Sequence, residues 1–198
     1  MIAVIDYRAG NIASVKKALD HLRADAVVTR DPNIVAHADK IILPGVGHFS
    51  ATAILEQDGL RGAILGRIGD GVPFLGVCVG MQWMFESSAE APGTPGLGLL
   101  SGVCGPFAET VKSPHVGWNS LACRNGSRLL QGIPSGSFVY FTHSYSAPIV
   151  KATTASCEYG GKFSAAVEQD NLFGVQFHPE KSGELGLKLL ANFCNLPC

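Results

Sequence analysis

Charge is scarce in this sequence, and neither sign is in surplus. Charged residues make up 16% of the 198, and 15 Lys and Arg against 16 Asp and Glu leave a formal net charge of −1. A protein that grips a phosphate backbone needs a basic stripe, so no nucleic-acid partner is expected. Long unbroken apolar runs are missing too. The uncharged stretch 129–150 is interrupted by Pro134, Gly136, Pro148 and several hydroxyl residues, so no membrane-spanning helix and no membrane partner are expected. Met1 runs straight into Ile2-Ala3-Val4-Ile5, with no basic region and no small-residue cleavage site. That pattern argues against a secretory leader. The six cysteines show no CxxC spacing and no paired histidines, and Cys194 with Cys198 is too little for a zinc site. No metal is expected, and free thiols in a reducing cytoplasm are. Repeats of 20–50 residues and low-complexity segments are absent as well.

What is present suits a single globular domain spanning 1–198. Hydrophobic residues reach 46%, enough for a large core. The 24 glycines exceed the roughly 7% average and point to tight turns and close backbone approaches. Ile2–Asp6 reads as a strand buried on both faces. From Asn11, a plausible N-cap, apolar residues fall at Ile12, Val15, Ala18, Leu19 and Leu22, which is helical spacing. Ala26–Thr29, Ile41–Leu43 and Phe74–Val77 read as further strands, and Ser50–Ile68 as a helix broken near Gly59. Alternation of this kind predicts a three-layer α/β sandwich with a mostly parallel central sheet. After Gly93 the pattern changes. Strands are expected at Phe138–Phe141, Thr153–Glu158, Phe163–Glu168 and Leu172–Phe177, with Asp170-Asn171 as a hairpin turn, and these extend the sheet antiparallel. A helix closes the chain from about Ser182 to Phe193.

The chemistry concentrates in two segments. In Pro73-Phe74-Leu75-Gly76-Val77-Cys78-Val79-Gly80-Met81-Gln82 an apolar strand runs into Gly-x-Cys-x-Gly and then a helix pattern. This is the layout of a nucleophile elbow with Cys in place of Ser. The thiol would sit at a helix N-terminus, whose partial positive charge favours a thiolate. A buried structural Cys between two packing glycines fits the same residues. Gln176-Phe177-His178-Pro179-Glu180 supplies the base a cysteine nucleophile needs, with Glu180 placed to hold the imidazole tautomer. Taken alone, it also fits a loop with a solvated His. The Gly-bracketed loop Leu43-Pro44-Gly45-Val46-Gly47-His48-Phe49 is either an ordinary strand-to-helix turn or a source of a backbone N–H for an oxyanion, alongside the N–H of Val79. His143 lacks a carboxylate neighbour and reads as a positioning or interface residue; His21 and His37 read as surface.

Together these segments resemble the class I, triad-type glutamine amidotransferases. Within that family the chain is most similar to glutaminase subunits of imidazole glycerol phosphate synthases. The resemblance rests on Asp6-Tyr7 with Gly10-Asn11, on Pro44–Phe49, on Met81-Gln82 and on Pro114-His115-Val116-Gly117-Trp118-Asn119. Tyr140-Phe141 with His143-Ser144-Tyr145, and Gly174–Ser182, complete it. These segments occur in the family's order and cover essentially the whole chain. Anthranilate and carbamoyl-phosphate glutaminases are similar at the elbow but carry His where Met81 stands, and Pro114–Asn119 discriminates best.

The resemblance implies a flavodoxin-like fold. It further implies Cys78 as nucleophile, His178 as general base and acid, and Glu180 as its orienter. Val46 and Val79 would be the oxyanion donors, and Gly47, Gln82, Glu90, Ser144 and Tyr145 would hold glutamine. No cofactor is implied. Asn11, Trp118 and Lys181 would face a (β/α)8-barrel cyclase subunit in a heterodimer. Three positions depart from the family's usual residues: Arg8 stands for Gly, Val79 for Leu and Val116 for Met. Two other readings fit the same fold, namely a glutaminase feeding another synthase and a non-catalytic binding subunit.

Overall fold

The N-terminal apolar runs become the buried centre of a sheet. In the computed structural model, which describes residues 1–197, β1 (Ile2–Ile5) is buried throughout. It is followed by α1 (Ile12–His21), β2 (Ala26–Thr29), α2 (Pro32–Val35) and β3 (Lys40–Leu43). A 3-10 turn at Phe49–Thr52 leads into α3 (Ala53–Gln57) and α4 (Leu60–Gly69), then β4 (Phe74–Val77) and the single turn α5 (Val79–Gln82). The break predicted near Gly59 lies between α3 and α4, where Gly59 takes φ +71, a conformation that costs glycine little.

The second half holds β5 (Phe85–Ser88), β6 (Leu100–Pro106), β7 (His115–Ser120), β8 (Ala122–Cys123), β9 (Phe138–His143) and β10 (Tyr145–Ser146). Then come β11 (Thr153–Glu158), β12 (Lys162–Gln169), β13 (Leu172–Val175) and the closing helix α6 (Gly183–Cys194). The central sheet has eight strands in the order β2-β1-β3-β4-β13-β12-β11-β8. Its first five are parallel and its last three antiparallel. The strand order reverses direction after β2. With right-handed crossovers, α1 therefore lies on one face and α2, α3 and α4 on the other. The contacts agree: α1 packs with α6, and α2 and α3 pack with α4.

The architecture follows the expected class, with differences at the elements. The turn at Asp170-Asn171 joins β12 to β13 with Gln169 opposite Leu172. The expected strand Leu172–Phe177 leaves the ladder at Val175, because its partner β4 has ended and turned into the elbow. The strand at Phe138–His143 is not part of the central sheet; it pairs antiparallel with β7. Strands β5, β6 and β10 form a third, separate sheet. Cys198, half of the C-terminal cysteine pair considered above, lies outside the described residues. No helix among the described residues is long and apolar enough to cross a membrane.

Candidate active site

Three parallel strands deliver the candidate residues to one end of the sheet, where sites of open α/β folds gather. Cys78 follows β4 directly, with φ 53 and ψ −108, a left-handed conformation that a non-glycine residue adopts only when its surroundings impose it. Those surroundings are visible. A Cβ on Gly76 would lie 2.4 Å from the Gly80 carbonyl oxygen, and one on Gly80 would lie 2.0 Å from the Leu43 carbonyl oxygen. Both glycines of the Gly-x-Cys-x-Gly motif are thus demanded by backbone approach. The helix behind the thiol is shorter than the pattern suggested. It has four residues, so the partial charge at its N-terminus is small.

His178 comes from the turn after β13, and its segment is pinned to β9. Its backbone N–H donates to the Tyr140 carbonyl at 2.9 Å, and the Ser182 hydroxyl donates to the His178 carbonyl at 2.7 Å. The ring Nδ1 lies 3.0 Å from Glu180 Oε1, with both side chains 1% exposed. Since a carboxylate only accepts, Nδ1 carries the proton of that pair. Nε2 is buried with no partner at hydrogen-bond geometry, and Glu180 Oε2 is likewise unpartnered. Burial pulls the imidazole's pKa down, but interactions with Cys78 and Glu180 outweigh it and push the value up to about 10. The favoured form is therefore the imidazolium, beside Cys78.

Asn11 shows a use that sequence did not reveal. It precedes α1 but makes no capping bond; its Nδ2 donates to Glu180 Oε1 at 3.3 Å. Trp118, 56% exposed, meets Tyr140 edge-on, and Lys181 Nζ lies 5.6 Å from the same ring. Asn11 and Lys181 are thus tied to the segment that carries His178, and Trp118 is tied to it through Tyr140; Val116 and Phe138, on the same two strands as Trp118 and Tyr140, are exposed as well.

Gly47, Gln82, Glu90, Ser144 and Tyr145 line one cavity with Cys78, Val79, Thr142 and His143. Its volume is about 30 Å³, room for one or two waters and not for an amino acid. A larger hollow of about 560 Å³ runs along residues 123–135 and contains none of these groups. Two of the cavity residues already have partners. Glu90 accepts the Phe49 N–H at 2.8 Å, and the Gln82 NH2 group donates to the Tyr145 carbonyl at 2.7 Å and to Gln176 Oε1 at 3.0 Å. Val46 is half-buried and does not line the cavity. Val79, as the first residue of α5, has no acceptor for its N–H within the helix. Arg8 holds φ 65, so the loop keeps the left-handed conformation that glycine would adopt most easily. His143 is buried, and its pKa is pushed down to about 3, chiefly by burial, so it is neutral and no competitor for His178 as the base.

Residues 3–196 match the glutamine amidotransferase class-I family. The chain belongs to the class-I glutamine amidotransferases. One curated member, the imidazole glycerol phosphate synthase subunit HisH of Methanothermobacter thermautotrophicus, is 46% identical over 99% of this chain and 98% of its own length. The subunit of the same name from Thermococcus kodakarensis is 46% identical over 99% of this chain and 100% of its own. A solved structure described as a glutamine amidotransferase superposes with a TM-score of 0.77 at 18% identity, covering 99% of this chain and 100% of that one. At that identity the superposition speaks for the fold. For a class-I amidotransferase the arrangement is chemically coherent: a thiol on a strained elbow, a charged imidazole beside it, and a carboxylate behind the imidazole.

Proposed function

We propose that this chain is the glutaminase subunit of an imidazole glycerol phosphate synthase in histidine biosynthesis, hydrolysing glutamine through Cys78, His178 and Glu180. The buried His178–Glu180 pair beside the elbow thiol, in a chain whose curated relatives carry that subunit name, is the observation that carries the reading. The Cys78 thiolate attacks the side-chain amide carbon of glutamine, forming a carbon–sulfur bond and a tetrahedral oxyanion. The backbone N–H of Val79 receives that oxyanion, joined by that of Val46 once the Gly-bracketed loop turns it toward the thiol. His178 passes its proton to the amide nitrogen as the carbon–nitrogen bond breaks, and ammonia leaves. Water then gives a proton to His178 and attacks the thioester; glutamate departs, and the thiolate–imidazolium pair is restored. No cofactor enters either step.

Gly47, Gln82, Glu90, Ser144 and Tyr145 form the glutamine pocket, which must widen to admit substrate. Asn11, Trp118 and Lys181 face a cyclase subunit of (β/α)8-barrel fold, which accepts the ammonia and forms imidazole glycerol phosphate and aminoimidazole carboxamide ribotide. The pair works in the cytoplasm. An uncoupled glutaminase would waste glutamine, and a cavity of about 30 Å³ beside the thiol is too narrow for efficient turnover by the subunit alone. Glutamate release is measured for the subunit alone, with purified cyclase, and with cyclase plus its nucleotide substrate. The expected rates rise in that order, by roughly 10²–10³ overall if one oxyanion donor is brought into place. Equal rates in all three would contradict the proposal and indicate a constitutive glutaminase.

A further inference from the structure

The parallel register of β4 and β13 sets Gly76 opposite Gly174 and Val77 opposite Val175, so Cys78 stands level with Gln176 on the neighbouring chain segment. Gln176 is fully buried, and its Nε2 lies 3.5 Å from Cys78 Sγ. The orientation of both amides is dictated by their neighbours. The Tyr145 carbonyl can only accept, so Gln82 must offer it the NH2 group. That same NH2 faces Gln176, which must answer with Oε1. Gln176 is then left with its own NH2 directed at the sulfur.

The anchoring carbonyl is itself held from the other side. His143 Nδ1 lies 2.9 Å from Tyr145 O and so donates to it; His143 Nε2 is thereby an acceptor, and His115 Nδ1 meets it at 3.2 Å as donor. Asn119 Nδ2 completes the row, 3.4 Å from His115 Nε2. Every donor has one possible direction. Besides His178, the sulfur also meets the Thr142 carbonyl at 4.0 Å, to which only a protonated thiol can donate.

We propose that Gln176 is the positioning residue of the nucleophile: its amide, locked by Gln82 and the Tyr145 carbonyl, holds the Cys78 sulfur as a hydrogen-bond acceptor and thereby selects the thiolate. The inference rests on Cys78 being the nucleophile. It concerns no substrate contact, and it gives a role to a residue that the triad mechanism does not use.

The test is the pH dependence of iodoacetamide alkylation at Cys78 in the full-length chain, followed peptide by peptide by mass spectrometry. Half-buried Cys123 and Cys194, whose pKa values burial raises, serve as internal references. The titratable groups around the sulfur are His178 and Glu180 after β13, Tyr7 after β1, His143 at the end of β9, Glu90 at the cavity rim and Cys104 behind Gln82; none is altered. In Gln176→Met with native circular dichroism, alkylation near pH 6.5 should fall about tenfold relative to wild type, the scale of one hydrogen bond to a charged group, while the rate at pH 9 stays within about threefold. Loss of a merely structural residue would change both rates alike. Should Gln176→Met fail to fold, Gln82→Met frees the Gln176 amide to turn over and should shift the profile in the same direction by less. An unshifted profile in the folded variant overturns the proposal. If wild-type Cys78 titrates like Cys123 and Cys194, the nucleophile reading fails, and the proposal falls with it.

Discussion

Burial alone would strip His178 of its proton, and it is the sulfur of Cys78 and the carboxylate of Glu180 that keep the ring charged, with a pKa near 10. A carboxylate favours the imidazolium and a neutral amide does not, so in Glu180→Gln the proton should leave at lower pH. The alkaline limb of glutaminase turnover should move down accordingly. The amide can also hold the wrong tautomer, and turnover should fall by something on the order of 10⁴-fold, less than for loss of Cys78. A pH–rate profile of the cyclase complex checks both statements; an alkaline limb left in place would show that Glu180 does not act on the ring charge. Cys78, His178 and Glu180 were legible as candidates because each sits in a local pattern that names its chemistry. Gln176 and Asn11 were not, since their partners Cys78 and Glu180 lie 98 and 169 residues away and meet them only through strand register and loop packing. For Gln176 a signal did exist: in a parallel βαβ fold, residues just past the ends of paired strands share a level.

Among the elements, the elbow is the most tightly specified. Gly80 has no room for a methyl group beside the Leu43 carbonyl, whereas Gly62 in α4 has nothing within 4 Å of a Cβ. Gly80→Ala should therefore destabilise the protein by about 3 kcal/mol or more, because backbone must move to relieve the overlap. Gly62→Ala, on an exposed helix face, should stabilise it by about 0.5–1 kcal/mol. Urea denaturation of the two variants gives the comparison, and similar effects would contradict the steric account of the motif. The strand–helix alternation of the first half was readable because its strands are continuously apolar. Strands β5 to β7 were missed because their sequences carry little period: in β7 only His115 is fully buried, and Trp118 points outward. The same weakness hid the fact that β9 pairs with β7 and not with the central sheet.

Across the whole molecule, β3, β4 and β13 bring the Gly-bracketed loop, the thiol and the imidazole to one end of a single sheet, around a cavity too small for substrate. In the proposed account that narrow cavity is joined to the face where Trp118 and Lys181 are exposed beside half-buried Tyr140: glutamine is cleaved at the first, and its nitrogen is handed to a partner at the second. The most direct measurement is the product output of the Cys78→Ala subunit in complex with its cyclase, supplied in parallel with glutamine and with an ammonium salt. The account predicts that cyclisation with glutamine falls by on the order of 10⁶-fold while cyclisation with ammonium persists near the wild-type rate, since ammonium bypasses the thioester. Cyclisation that still runs on glutamine in the well-folded variant would contradict it.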